Sequence, residues 1–158
     1  MSAAEDRLAE LGLTVPEVPT PVAVYVPAVV SGDLVYTSGQ LPMKNGELLL
    51  AGKVGGEVSP EDAKVCAEQC ALNAIAAVKS KVGDLDNVVQ VVKVVAFVAS
   101  TPDFTGQPQV ANGASELLGK VFGDAGVHAR SAVGVPVLPL DAPVEVEVVV
   151  RVAPGSAE

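Results

Sequence analysis

The sequence predicts an α+β domain in which one mixed β-sheet carries two α-helices on one of its faces. Three observations lead there. The segment 144–152 alternates: Val144, Val146, Val148, Val150 and Val152 fall on one side, and Glu145, Glu147, Val149 and Arg151 on the other, the period of a half-buried strand. Two longer segments have helical spacing and clear start and stop residues. Short β-branched runs flank and separate them, so the order reads β-β-β-α-β-α-β-β, with no internal repeat.

Taken in order, residues 3–12 form a short amphipathic helix with Ala4, Leu8 and Leu11 on one side and Gly12 at its end. Pro16, Pro19 and Pro21 then impose an extended linker. Val22–Val30 and Leu34–Ser38 are expected as strands joined at Ser31-Gly32-Asp33, and Leu48–Val54 as a third strand after the turn at Asn45-Gly46. Ser59 caps the first long helix, Pro60 suits its first position, and Asp62 stands at capping-box spacing. That helix runs to about Val82, where Gly83 stops it. Val88–Ala99 is a nearly continuous apolar run, as in a strand covered on both faces. A second helix spans about Val110 to Phe122, closed by Gly123, and a strand through Arg130 precedes the final one. The expected organisation is an N-terminal helix and proline-rich linker over 1–21, the domain over 22–152, and a tail over 153–158.

The chain has 158 residues, enough for one domain with a real core. Apolar residues make up 49% but aromatic ones only 3%, so valine, alanine and leucine must build that core. No apolar run approaches the roughly 20 residues a membrane span needs, since Lys93 interrupts the longest. So much valine on a domain of this size suggests burial between subunits, hence a homo-oligomer. A net charge of −9 without clustered Lys or Arg argues against nucleic acid. The opening MSAAEDRLAE lacks a basic stretch followed by an apolar one, which points to a cytoplasmic location. Cys66 and Cys70 share a helix face with Ala63, Ala67, Ala74 and Ala77 and are expected as buried structural thiols. A metal site would need further ligands, and the lone histidine, His128, is remote in sequence.

The segment HARSAVGVPVLP, from His128 to Pro139, is the best lead to function. Read as a strand, it puts Arg130, Ala132, Gly134 and Pro136 on one face and Ser131, Val133, Val135 and Val137 on the other, the valine face being the expected core. One guanidinium among small residues could bind a carboxylate in bidentate fashion, or could be a solvated edge-strand cation. Glu145 and Glu147 could be solvated carboxylates, and Ser38 a turn hydroxyl; Tyr25 could be a half-buried strand residue.

Tyr25, the run TSGQLP from Thr37 to Pro42, Asn112, ARSAV from Ala129 to Val133 and VEVE from Val144 to Glu147 occur in an order that resembles the RidA/YjgF family of enamine and imine deaminases, across roughly residues 22–152. The resemblance implies a chorismate-mutase-like fold, a homotrimer with ligand clefts between subunits, and no metal or organic cofactor. It implies that Arg130 binds the substrate's carboxylate, that Glu145 positions or activates water, and that Tyr25, Ser38, Gly39 and Asn112 line the cleft. Ala132, Ala23-Val24 and Pro27 depart from the family's best-studied branch and mark this chain as divergent.

The expected activity is hydrolysis of 2-aminoacrylate-type enamines or imines to 2-keto acids and ammonia. An imine carbon is already electrophilic, so positioning and a proton acceptor suffice. A trimeric small-molecule-binding or chaperone-like protein without turnover is the alternative. Endoribonuclease activity, attached to some family members, is disfavoured by the acidic charge and the lone histidine. If the last two strands formed a hairpin around Leu138–Pro143, Glu145 would face Pro136, on the order of 20 Å from Arg130. Either the strands do not pair this way, or Arg130 of one subunit meets Glu145 of its neighbour; the second is expected, since the resemblance implies clefts between subunits.

Overall fold

A computed structural model describes residues 2–20 and 24–158. The elements are α1 (Ala3–Glu10), β1 (Ala28–Ser31), β2 (Leu34–Thr37), β3 (Met43–Lys44), β4 (Glu47–Leu48), α2 (Pro60–Val82), β5 (Val88–Ala99), α3 (Gln107–Phe122), β6 (Ala129–Val135) and β7 (Val144–Val152). Five strands form the main sheet in the order β1-β2-β7-β5-β6, with β3 and β4 as a separate ribbon. β5 and β6 run parallel, joined through α3, while the β1–β2, β2–β7 and β5–β7 pairs are antiparallel. The α+β class and the one-sided helical layer are as the sequence predicts.

The valines of β7 explain the layer. Val144, Val146, Val148, Val150 and Val152 are all buried, and their partners Val98, Ala96, Val94, Val91 and Val88 on β5 are buried with them. α2 covers this surface with Ala63, Cys66, Ala67, Cys70, Ala74 and Ala77, every one buried. Its start is as expected: the Ser59 hydroxyl accepts from the Asp62 N–H at 3.1 Å, and Gly83 closes the helix at φ +70°. Gly113 lets α3 cross α2 closely, since a Cβ there would lie 2.0 Å from the Lys64 carbonyl oxygen.

α1 is fastened at both ends of its chemistry. Ser2 caps it, and the Asp86 carboxylate accepts from the Ala3 and Ala4 N–H groups at 2.9 and 3.2 Å. Those bonds hold the Asp86 carboxyl below its ordinary pKa. Arg7 donates to the Val121 carbonyl at the end of α3, and Ala4 and Leu8 are buried. Leu11, expected on the same side, is instead half exposed.

Several local expectations need correction. The first strand begins at Ala28; Pro27 offers no N–H to a ladder, residues 24–27 carry no strand, and Val22 and Ala23 lie outside the described residues. Leu48–Val54 does not form a strand. Asn45 and Gly46 turn β3 onto β4 with φ +54° and +81°, and the chain then loops with Gly52 at +123° and Gly55 at +90°. These glycines break a continuous ladder, and Val54 is buried through single bridges to Val58 and Ser100. α3 starts at Gln107 rather than Val110, so Asn112 lies within it; Pro108 fits its first turn.

β6 and β7 do not form a hairpin. β6 pairs with β5 alone, and β5 separates it from β7. The valine face of β6 is not core either: Val133 is 45% exposed, while Arg130 pairs with the buried Val94 and faces α3.

Candidate functional site

The β5–α3–β6 crossover builds the first cluster. Parallel pairing of β6 with β5 puts Arg130 beneath α3, where Asn112 and Ser115, three apart, share one helix face. Arg130 Nη1 donates to Asn112 Oδ1 at 2.8 Å and to Ser115 Oγ at 3.2 Å. His128 stands two residues before Arg130 and so on its side of the strand. Its Nε2 lies 2.8 Å from Ser115 Oγ and its Nδ1 2.6 Å from the Gly126 carbonyl oxygen. Arg130 is thus neither a bare edge cation nor buried; it is half exposed and held from one side. Ser115 and His128 were missed as partners, although the spacings 112/115 and 128/130 were legible.

Glu145 anchors the second cluster, at the start of β7. It pairs with Phe97 and so sits on the sheet face opposite the helices. Residues 38–40 run beside it: Gln40 and Val146 exchange backbone bonds at 2.8 and 3.0 Å. Gly39 lies directly against the Glu145 carboxylate, since a Cβ there would come 2.4 Å from Oε2. Ser38 donates its hydroxyl to the Val26 carbonyl at 2.6 Å, which ties the segment carrying Tyr25 to this cluster. The Tyr25 ring is 68% exposed. Partial burial, then the neighbouring Glu147, raises the Glu145 pKa above the ordinary carboxylate value.

The structure brings Arg130 together with Asn112, and Glu145 with Ser38, Gly39 and the Tyr25 segment, but it does not join the two clusters within one chain. Arg130 aligns through Val94 with Val148, whereas Glu145 aligns through Phe97 with Val133. The two residues are therefore offset by about 10 Å along the strands and about 10 Å across them. Their side chains also leave opposite faces of the sheet. A single small ligand cannot touch both in one chain.

A family model described as "YjgF/chorismate mutase-like, putative endoribonuclease" matches residues 5–151. The chain belongs to the YjgF family. Among its relatives, protein TCP17 of Trypanosoma cruzi is 42% identical over 146 residues, which cover 92% of this chain and 91% of TCP17. The crystal structure of Atu1372 from Agrobacterium tumefaciens is similar at a TM-score of 0.90 and 45% identity, over 96% of this chain and 93% of that one. The YjgF gene product of E. coli matches at a TM-score of 0.63 and 29% identity, over 85% of this chain and 93% of its own.

Other features of this YjgF family member lie outside the two clusters. A cavity of about 240 Å³ between α1, α2 and α3 is lined by Leu11, Lys64, Val65 and Glu116 among others, and by none of the candidate residues. Among the described residues, no group of three or more His, Cys, Asp or Glu side chains is placed to hold a metal ion, and no helix is long and apolar enough to cross a membrane. Burial pushes the Cys66 thiol up to about 11, and burial raises Cys70 as well. Both thiols are buried, with Cys70 Sγ 3.6 Å from the Val144 carbonyl oxygen.

Proposed function

We propose that the protein hydrolyses 2-aminoacrylate-type enamines or imines to 2-keto acids and ammonia, in clefts that form between the subunits of a homotrimer. One observation carries the reading: a complete arginine cluster and a complete glutamate cluster occupy opposite faces of one sheet. Each is half of a site, and a neighbouring copy can supply the other half.

The chemistry asks little of these residues. Arg130 binds the substrate's carboxylate and fixes the imine carbon in place. Glu145 accepts a proton from water as the water oxygen bonds to that carbon and the C=N π electrons move to nitrogen. Glu145 passes that proton to nitrogen, which gives the carbinolamine; in the collapse it takes the hydroxyl proton as the carbonyl forms and delivers it to nitrogen as the C–N bond breaks, so ammonia leaves and Glu145 is a carboxylate again. An enamine enters by protonation at its β-carbon. The raised pKa of Glu145, from partial burial and the neighbouring Glu147, makes it a stronger base than an ordinary carboxylate. Ser38, Gly39 and Tyr25 would complete the glutamate side of the cleft, and Asn112 the arginine side.

Two inactive variants test this together. Arg130→Ala and Glu145→Gln, mixed in equal amounts after dissociation and reassembly, should recover roughly a quarter of wild-type activity, because half of the clefts draw an intact arginine and half of those an intact glutamate. Ammonia release, with semicarbazide trapping the imine, reads the outcome. Mixtures as inactive as their parents, under conditions that wild type survives, would place both residues on one chain. Wild type that binds pyruvate but never accelerates imine hydrolysis would instead favour a binding protein without turnover.

A further inference from the structure

The hydrogen-bond chain behind Arg130 has a direction. The Gly126 carbonyl can only accept, so His128 Nδ1 carries the proton and donates to it at 2.6 Å. Nε2 of the neutral ring is therefore an acceptor, and the Ser115 hydroxyl 2.8 Å away donates to it. With its proton committed to His128, Ser115 Oγ turns a lone pair to Arg130 Nη1 at 3.2 Å. Asn112 Oδ1 takes the other Nη1 hydrogen at 2.8 Å. Among the described residues, neither Nε nor Nη2 of Arg130 has an acceptor.

We propose that Ser115 and His128 are positioning residues: they pin Arg130 by Nη1 and leave its Nε–Nη2 edge as the fork that receives the substrate's carboxylate. This deepens, and rests on, the carboxylate-binding role of Arg130 given above. A guanidinium offers a carboxylate parallel N–H pairs along its edges. Using both Nη1 hydrogens removes the Nη1–Nη2 edge and leaves the Nε–Nη2 edge, since Nε carries Cδ rather than hydrogen on its Nη1 side. The plane and approach direction of the ligand are then set in part by Ser115 and by the tautomer of His128, neither of which touches the ligand. An arginine without this support would spread over several rotamers, and the ordering cost would fall on binding.

Pyruvate, the product of 2-aminoacrylate hydrolysis, is the probe, with methyl pyruvate as the control that lacks a carboxylate. Ser115→Ala keeps a good helix former in α3 and should fold. It should weaken pyruvate binding about tenfold by calorimetry, as should His128→Phe, which keeps a ring but loses the acceptor. His128→Gln places an amide oxygen near the Nε2 position and should restore much of the loss. Methyl pyruvate should bind all these variants alike, and Ser115→Ala should add nothing in an Arg130→Ala background. In the free protein, the two Nη groups of Arg130 should give separate NMR signals at low temperature in wild type and merged ones in Ser115→Ala; this arm needs no ligand.

If Arg130→Ala loses pyruvate while Ser115→Ala and His128→Phe bind it as wild type does, the positioning role is wrong and the site stands. If Arg130→Ala binds pyruvate unchanged, the carboxylate role fails, and the NMR signals alone judge whether Nη1 is pinned. Equal weakening of pyruvate and methyl pyruvate, or a further loss in the Arg130→Ala background, would show general damage and overturn the proposal.

Discussion

Gly39 and Glu145 illustrate how one missing methyl group makes room for the carboxylate we propose as the base. A Cβ at residue 39 would meet Glu145 at 2.4 Å, but the atom it meets is the tip of a flexible side chain. Gly39→Ala should therefore cost little stability while displacing the carboxylate: kcat should fall about tenfold or more with Tm unchanged within roughly 2 °C. Glu145 itself gives a pH-dependent result. Its pKa is raised in the folded chain, so the folded state binds more protons between the two pKa values, and stability is lost as pH rises through that window. Glu145→Gln should melt higher than wild type at pH 7–8, with the difference gone near pH 4, where the ordinary glutamate value of about 4.3 leaves both forms largely neutral. Arg130→Lys should retain part of the carboxylate binding that Arg130→Ala loses, since lysine keeps the charge without the fork. Both cysteines should label only on unfolding, in a thiol assay near neutral pH, because burial keeps them protonated.

The crossing of α2 and α3 depends on Gly113 in a different way. There the obstructing atom is the Lys64 backbone oxygen, which cannot swing aside. Gly113→Ala should lose about 1–3 kcal/mol in denaturant unfolding, even though alanine is the better helix former by about 1 kcal/mol. Asp86→Ala should release α1: losing a carboxylate that takes two helix N-terminal N–H groups should cost about 1 kcal/mol and open the peptide bonds of residues 11–20 to limited proteolysis. The two long helices were legible because Ser59, Pro60 and Gly83 punctuate one and Gly123 ends the other. β5 and β7 were legible from period and β-branching. The 48–54 segment was misread because its apolar residues are buried by a loop rather than a ladder. The face of β6 was misread because its valines reflect strand propensity rather than burial within the chain, Val133 being 45% exposed. Strand order is a matter of non-local pairing, and nothing within residues 129–152 reveals that β5 inserts between β6 and β7.

For the whole molecule, the sheet's open face is the main remaining fact. Val29 and Tyr36 are 54% and 44% exposed there, on strands whose other face is core, and Val133 of β6 is 45% exposed on the same side of the sheet. That apolar surface is consistent with a place for further copies of the chain. Light scattering should find a trimer at micromolar concentration, and a stable monomer under those conditions would remove the physical basis for a shared cleft. Arg130 was legible from its own strand, whereas Tyr25, Ser38, Gly39 and Asn112 were legible only through the resemblance, a tyrosine in a strand and a serine in a turn having ordinary structural explanations. A separation of Arg130 from Glu145 was expected, though on a hairpin that does not form; their placement on opposite faces was not, because it follows from how β5 pairs with each strand.

With the cleft shared between copies as we propose, that division would make the protein's own abundance a control on its chemistry. A solitary copy would keep its core, its arginine and its glutamate, yet own no finished catalyst. Rate per milligram should then collapse on dilution below the concentration at which copies dissociate, while circular dichroism stays unchanged, and should climb faster than first order as copies accumulate. A cell making a little of this protein would hold a dormant stock, and one making more would cross abruptly into turnover.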